Sequence, residues 1–283
     1  MKKSIYYILP FVLIILASSC TKNKLIDDTM EPDNIVKYLH LSHTRTDSNP
    51  RIDSIVELMD FSKYKMLWLG GDLAEATSFD DTTMNHIDSI FNLGNNNTLW
   101  SLGNHDYADL TRVQKYTHRN PYYAYHKNGI TIVVLDTQDS LSNITSAQKQ
   151  FLYSVADTIN NSSYLIILMH KLIWMYGDSI FEPQIPVISN GGFGSCFYCI
   201  NPNNFWTEIY PKLLSIKQRG VNVICLGGDI GFYVKEFSYV NSQGIVFLAS
   251  GINAGTANNL GLVFTHNLTQ KNLTWEFVPL TEL

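Results

Sequence analysis

The chain has 283 residues, of which 45% are hydrophobic and 16% charged. That is enough apolar sequence for one large domain with a full core, and too little charge for a disordered chain. A formal net charge of -5 provides no basic footprint for a polyanion, which argues against a nucleic-acid partner.

The N-terminus reads as a targeting segment. Lys2 and Lys3 supply the positive region, and an apolar run from Ile5 to Leu16 follows. That run is shorter than the roughly 20 residues a membrane-spanning helix needs. It ends at Ala17-Ser18-Ser19-Cys20, small residues before a cysteine that resemble the bacterial lipoprotein cleavage box, with Ala17 where Leu is commoner. The expectation is a lipoprotein-type signal peptide over residues 1–19, lipid attachment at Cys20 and a polar tether over 20–34 with Asp27, Asp28 and Pro32. An uncleaved anchor and an ordinary secreted protein are the alternatives. In each case the domain, residues 35–283, lies outside the cytoplasm, in a periplasm or at a bacterial surface, and the lipid on Cys20 would hold it to the membrane.

From residue 35 the chain alternates strands and helices. Ile35 to Leu41 predicts a strand, Pro50 to Met59 a helix, and Met66 to Leu69 a buried strand before Gly70-Gly71-Asp72. Ile87, Ile90 and Phe91 share a face of a helix from about Asp80 to Phe91, and Thr98 to Leu102 is the next strand. Asn128-Gly129 between Tyr122–Tyr125 and Thr131–Leu135 is a hairpin signal. Ser146 to Ile159 predicts a helix, and Tyr164 to Met169 an apolar strand ending at His170. A glycine-rich loop with Cys196 and Cys199 precedes a helix from Trp206 to Gln218 and an apolar strand from Val221 to Leu226, which ends at Gly227-Gly228-Asp229. Four strand-like runs close the chain: Val234 to Val240, Gly244 to Leu248, Leu262 to Thr265 and Leu273 to Val278. This order predicts an α/β fold, a four-layer αββα sandwich of two mixed β-sheets flanked by helices.

Outside the cytoplasm a Cys-x-x-Cys pair is open to several readings. Cys196 and Cys199 fit a small disulfide, a metal pair or two free thiols. The chain has no second such pair and no histidine at zinc-finger spacing, which places the metal reading last. Cys225, within an apolar strand, reads as a core residue.

The informative pattern stands at the ends of the apolar strands. Successive strands end in His43-x-Arg45, Asp72, Asn104-His105-Asp106, His170 and Asp229. Taken singly, each has a structural reading: a hydrogen-bonded loop histidine, a Gly-Asp turn, a helix cap. Ligands in open α/β sheets collect at the carboxyl ends of strands, so together the five point to one site.

At these residues the chain resembles the calcineurin-like metallophosphoesterase family, over most of its length after about residue 35. The family carries five short motifs: Asp-x-His, Gly-Asp, Gly-Asn-His-Asp or Glu, a single His, and Gly-His-x-His. Gly71-Asp72 matches the second, Gly103-Asn104-His105-Asp106 the third in full, and His170 the fourth. The first and last differ. His43 and Arg45 stand where the family has Asp-x-His, and Asp229 and Gly231 where it has the two histidines of Gly-His-x-His.

The resemblance implies that Asp72, Asn104, His170 and Asp229 hold one divalent ion, of manganese, iron or zinc, while the other metal keeps only Asp72 and His43. Arg45 has no lone pair to give a metal. Its guanidinium is instead expected to hold a phosphoryl group in place of the second ion, so one ion is expected rather than two. His105 would be the general acid, oriented by Asp106. The expected substrate is a small phosphomonoester or phosphodiester. The competing expectation is a non-catalytic binding or scaffolding lipoprotein of the same fold, its site plugged by Arg45 paired to Asp72 or Asp229.

Overall fold

The computed structural model describes residues 34–283. The signal segment, Cys20 and the tether up to residue 33 lie outside the described residues. Among the described residues no helix is long and apolar enough to cross a membrane.

Eleven strands carry the domain: β1 Ile35–Leu41, β2 Met66–Leu69, β3 Thr98–Trp100, β4 Tyr123–Lys127, β5 Ile130–Val134, β6 Tyr164–Leu168, β7 Asn222–Gly227, β8 Glu236–Val240, β9 Val246–Ser250, β10 Leu260–Asn267 and β11 Asn272–Pro279. Six helices accompany them: α1 Ser54–Glu57, α2 Asp81–Phe91, α3 Leu110–Thr117, α4 Ser146–Thr158, α5 Ile185–Ile188 and α6 Tyr210–Gln218. The strands form two mixed sheets, in the orders β11-β10-β1-β2-β3 and β4-β5-β6-β7-β9-β8. In the first, β1, β2 and β3 run parallel. In the second, β5, β6, β7 and β9 run parallel, with antiparallel β4 and β8 at the edges.

Alternation along the strands explains the layers. Met66 and Trp68 of β2 face the second sheet, where they pack with Ile132, Ile166 and Leu226 alongside Phe264 of β10 in their own sheet. Leu67 and Leu69 face the other way, onto Met84, Ile87 and Phe91 of α2 and Val113 of α3. The outer face of the six-stranded sheet is covered by Leu152 and Ala156 of α4 and Leu213 and Ile216 of α6. Each such aliphatic side chain contributes roughly 1.5–3 kcal/mol by burial. The result is the four-layer αββα sandwich, with its two sheets locked face to face and the carboxyl ends of β1, β2, β3, β6 and β7 fixed relative to one another.

Several elements differ from their sequence expectation. The helix expected over residues 50–59 is only the single turn α1. Arg45 bridges Ile52 in extended backbone pairing, and Asp53 then caps the helix by accepting from the Ile55 amide. The expected order has no helix where α3 forms; it is only eight residues long, and its apolar face is limited to Leu110, Val113 and Tyr116. Ahead of α6, Phe205–Ile209 forms a π-turn. Pro211 cannot donate a backbone hydrogen bond there, so the first turn takes a wider spacing.

Candidate active site

Two turns with uncommon backbone shape build the floor of the site. After β1 the chain passes through His43 at φ 56°, and after β2 through Asp72 at φ 54°. Left-handed backbone is sparsely populated for residues other than glycine and persists where surrounding contacts hold it. The contacts here are the His43 amide on the Gly71 carbonyl at 2.9 Å and the Asp72 amide on Asp106 Oδ2 at 2.7 Å. Ser42 Oγ donates across the sheet interface to the Gly228 carbonyl at 2.8 Å, and His170 Nδ1 reaches the Gly70 carbonyl at 2.7 Å. Both sheets are thus stitched together where the site lies.

The structure brings the expected residues of both sheets to one place. His43, Arg45, Asp72, Asn104, His105 and Asp229 line a cavity of about 250 Å³, together with Asn190, Gly191 and the exposed Tyr198 and Phe232. His170 is fully buried behind it. Asp72 Oδ2 lies 3.7 Å from His43 Nε2 and 3.6 Å from His170 Nε2. His170 Nε2 is also 3.9 Å from Asp229 Oδ1.

Backbone carbonyls decide which ring nitrogens face the carboxylates. His43 Nδ1 is 3.0 Å from the Ile252 carbonyl, and His170 Nδ1 meets Gly70. A carbonyl only accepts, so Nδ1 carries the hydrogen in both rings and Nε2 is left to face Asp72 and Asp229. His170 Nε2 is buried without a hydrogen-bond partner among the described residues. Asp229 is oriented in turn by Ser189 Oγ at 3.0 Å and by the Gly191 amide.

The electrostatics follow from burial set against close opposite charge. Burial lowers the pKa of His43 to about 4, against the pull of Asp72, so its ring is neutral at neutral pH. At His170 burial also opposes charge, but the carboxylates of Asp72 and Asp229 outweigh it and the pKa is raised. Burial pushes the Asp229 carboxyl up to about 6, with His170 opposing. Burial would raise Asp72 as well, yet His170, His43 and His105 hold it below the usual carboxylate range.

This donor set suits a divalent cation. Imidazole nitrogens held by Nδ1–H on backbone carbonyls, with Nε2 turned to carboxylates, are the arrangement in which histidine ligates metal. In a tetrahedral shell with bonds of about 2.1 Å, neighbouring donors lie about 3.4 Å apart, and the spacings here are 3.6 to 3.9 Å. Among the described residues no three His, Cys, Asp or Glu side chains are already drawn together as a metal cluster, so the set would contract by a few tenths of an ångström around an ion. A second ion finds less. At Gly231, φ is +133° and a Cβ would lie 2.5 Å from the Ile252 carbonyl oxygen, so no ligating side chain fits there.

Two expected roles change. Asp106 does not orient His105. It is fully buried, and its carboxylate accepts from the amides of Asp72 at 2.7 Å, Leu73 at 3.1 Å and Gly103 at 2.8 Å. Trp100 Nε1, at 3.3 Å, and the Thr77 hydroxyl complete its set. Burial and the Asp72 charge raise the Asp106 pKa, and these donors oppose the shift. His105 is held instead by Glu75, whose carbonyl lies 2.6 Å from Nδ1 and whose carboxylate lies 3.7 Å from it. The same carboxylate pairs with Arg45 Nη1. Arg45 therefore neither pairs with Asp72 or Asp229 nor plugs the site. Its Nε has no hydrogen-bond partner among the described residues, and its guanidinium stands 5.8 Å from the Phe232 ring centre. Glu75 went unread in the sequence, where its one signal is a carboxylate three residues after Asp72.

Cys196 and Cys199 form a disulfide, and Cys225 is a buried free thiol. No family's sequence model matches this chain, and no curated protein does. Among solved structures the chain is similar to a dimetal phosphatase from Danio rerio, with TM-score 0.49 and 12% identity over 87% of this chain and 96% of that one. It is similar to the NAD nucleotidase of Haemophilus influenzae, with TM-score 0.43 and 15% identity over 87% of this chain and 50% of that one. It is also similar to a 5'-nucleotidase precursor from Thermus thermophilus, with TM-score 0.38 and 13% identity over 87% of this chain and 54% of that one. None of these likenesses assigns a role to any residue here.

Proposed function

We propose that the protein is a metal-dependent phosphoesterase that hydrolyses a small phosphomonoester or phosphodiester outside the cytoplasm, tethered to a membrane through lipid on Cys20. The observation that carries this reading is the convergence of His43 and His170, each with Nε2 turned to the Asp72 carboxylate, on a cavity that also presents Arg45 and His105. Asp72, Asn104, His170 and Asp229, with His43, would hold one divalent ion of manganese, iron or zinc, which would supply positive charge at the phosphoryl group and acidify water.

The chain's own groups complete the chemistry. Arg45 binds phosphoryl oxygens with the guanidinium donors that Glu75 leaves unused, offsetting charge where the related enzymes place a second ion. With Nδ1 committed to the Glu75 carbonyl, Nε2 of His105 is the atom that exchanges a proton, and it donates to the leaving oxygen. Ser189 and the Gly191 amide keep Asp229 aimed, and Asp106 fixes the backbone that carries Asp72. The Cys196–Cys199 disulfide suits an oxidising compartment, which supports the extracytoplasmic placement.

The test is release of nitrophenol from mono- and bis-nitrophenyl phosphate with added manganese. Asn104→Ala is expected to remove bound metal and turnover together, whereas Arg45→Ala raises KM and keeps the metal. A wild-type protein with neither bound metal nor turnover would overturn the proposal and leave the binding-only reading.

A further inference from the structure

Resting on that reading of the site, we propose that Tyr198 and Phe232 form a ring-binding subsite at the cavity mouth, so that the preferred substrates are phosphoesters carrying a flat, uncharged aromatic group and no second phosphate. Both residues line the cavity, and they are 55% and 43% exposed, respectively, so core packing does not account for them.

Phe232 is held at its backbone and its ring, and Tyr198 through the backbone of its turn. The Phe232 amide donates to Asn190 Oδ1 at 2.8 Å, and its ring meets the His43 ring edge-on at 4.7 Å. Tyr198 sits in the turn closed by the Cys196–Cys199 disulfide, with the Cys199 amide on the Cys196 carbonyl at 3.2 Å. Beneath that turn the buried Lys171 donates to the Phe197 carbonyl at 2.6 Å, and Asn201 Nδ2 to the carbonyls of Cys196 at 2.9 Å and Cys199 at 2.7 Å. Gly191 makes the fold-back possible: a Cβ there would lie 2.1 Å from the Tyr198 carbonyl oxygen. A rigid exposed aromatic loses little entropy on stacking a ligand ring, which is the property a ring-binding wall needs.

Charge sets the other half of the specificity. Among the described residues Arg45 is the single Lys or Arg lining the cavity, and Glu75 already shares it. A second phosphate would find no further Lys or Arg side chain among the described residues of the lining.

The inference is tested by binding rather than turnover. Phenylphosphonate and methylphosphonate, which share the phosphoryl group and cannot be hydrolysed, are titrated calorimetrically against the manganese-loaded full chain. The expected preference for the phenyl ligand is about tenfold, the scale of one ring stacked on an aromatic side chain. Tyr198→Ala, Phe232→Ala and the double variant Cys196→Ser with Cys199→Ser are each expected to bring that ratio towards one, and Tyr198→Phe to restore it. Equal affinity of the wild type for both ligands, or a ratio that survives in both alanine variants, overturns the subsite. A ratio that holds in a protein that hydrolyses no nitrophenyl phosphate supports the subsite and removes the hydrolytic reading.

Discussion

Glu75 presents its backbone carbonyl to Nδ1 of His105 at 2.6 Å while its carboxylate pairs with Arg45. One residue therefore positions both the His105 ring and the Arg45 guanidinium. Glu75→Gln keeps the carbonyl contact and removes the charge. We expect kcat to fall about tenfold to hundredfold, below the roughly 10²–10⁴-fold a positioned acid supplies in full, with metal content unchanged. A variant with wild-type kcat on nitrophenyl phosphate would show that the carboxylate does not position His105.

Asp106 and His105 are neighbours in sequence with separate tasks. Asp106→Asn turns an amide group towards N–H and O–H donors that now meet a carboxylate. Breaking a buried charged network of this kind costs about 3–5 kcal/mol, a fall in Tm of roughly 10 °C for a domain this size. His105→Ala, at the cavity wall, is expected to lower kcat with little change in Tm. Equal Tm losses in a thermal melt of the two variants would refute this division.

With the proposed ligands, protons and metal would compete for the same atoms, and the shifts fix the sign. His170 is raised above its usual value and Asp229 is raised to about 6, so a cation would have to displace a proton from the first wherever that ring is charged and from both below about pH 6. His43, lowered to about 4, adds none above that value. The apparent affinity for manganese is expected to fall about tenfold per pH unit where one proton competes and towards a hundredfold per unit below pH 6. Without metal, Asp229 works in the opposite direction. Between the ordinary carboxylate value near 4 and about 6 the folded state keeps a proton that the unfolded chain has lost, so rising pH removes stability through this window. Calorimetry at pH 5 to 8 checks the affinity, and an affinity flat across that range would contradict the assignment.

Much of this was legible in the sequence because burial and periodicity are local. The strand from Ile35 to Leu41 and the β2 strand have the expected ends, since a short run dominated by apolar residues between polar turns has few alternatives. The strand ends carrying Asp72, Asn104, His170 and Asp229 could be placed in order for the same reason. Roles set by tertiary contact could not. Asp106 stands beside His105 in the chain but is surrounded by amides from three other positions. Glu75 meets His105 and Arg45 only after two loops fold together. The disulfide was one of three open readings because spacing alone does not choose among them, and α3, eight residues long, repeats its apolar face of Leu110, Val113 and Tyr116 over too few turns to stand out.

The central claim is a single divalent ion at Asp72, Asn104, His170 and Asp229, with Arg45 beside it. Elemental analysis of the purified chain, combined with manganese titration after chelation, measures it directly. The account predicts one ion per chain, lost in Asn104→Ala and retained in Arg45→Ala. Two ions in the wild type, or a second ion gained in Arg45→Ala, would contradict the role given to Arg45, and no ion at all would contradict the site.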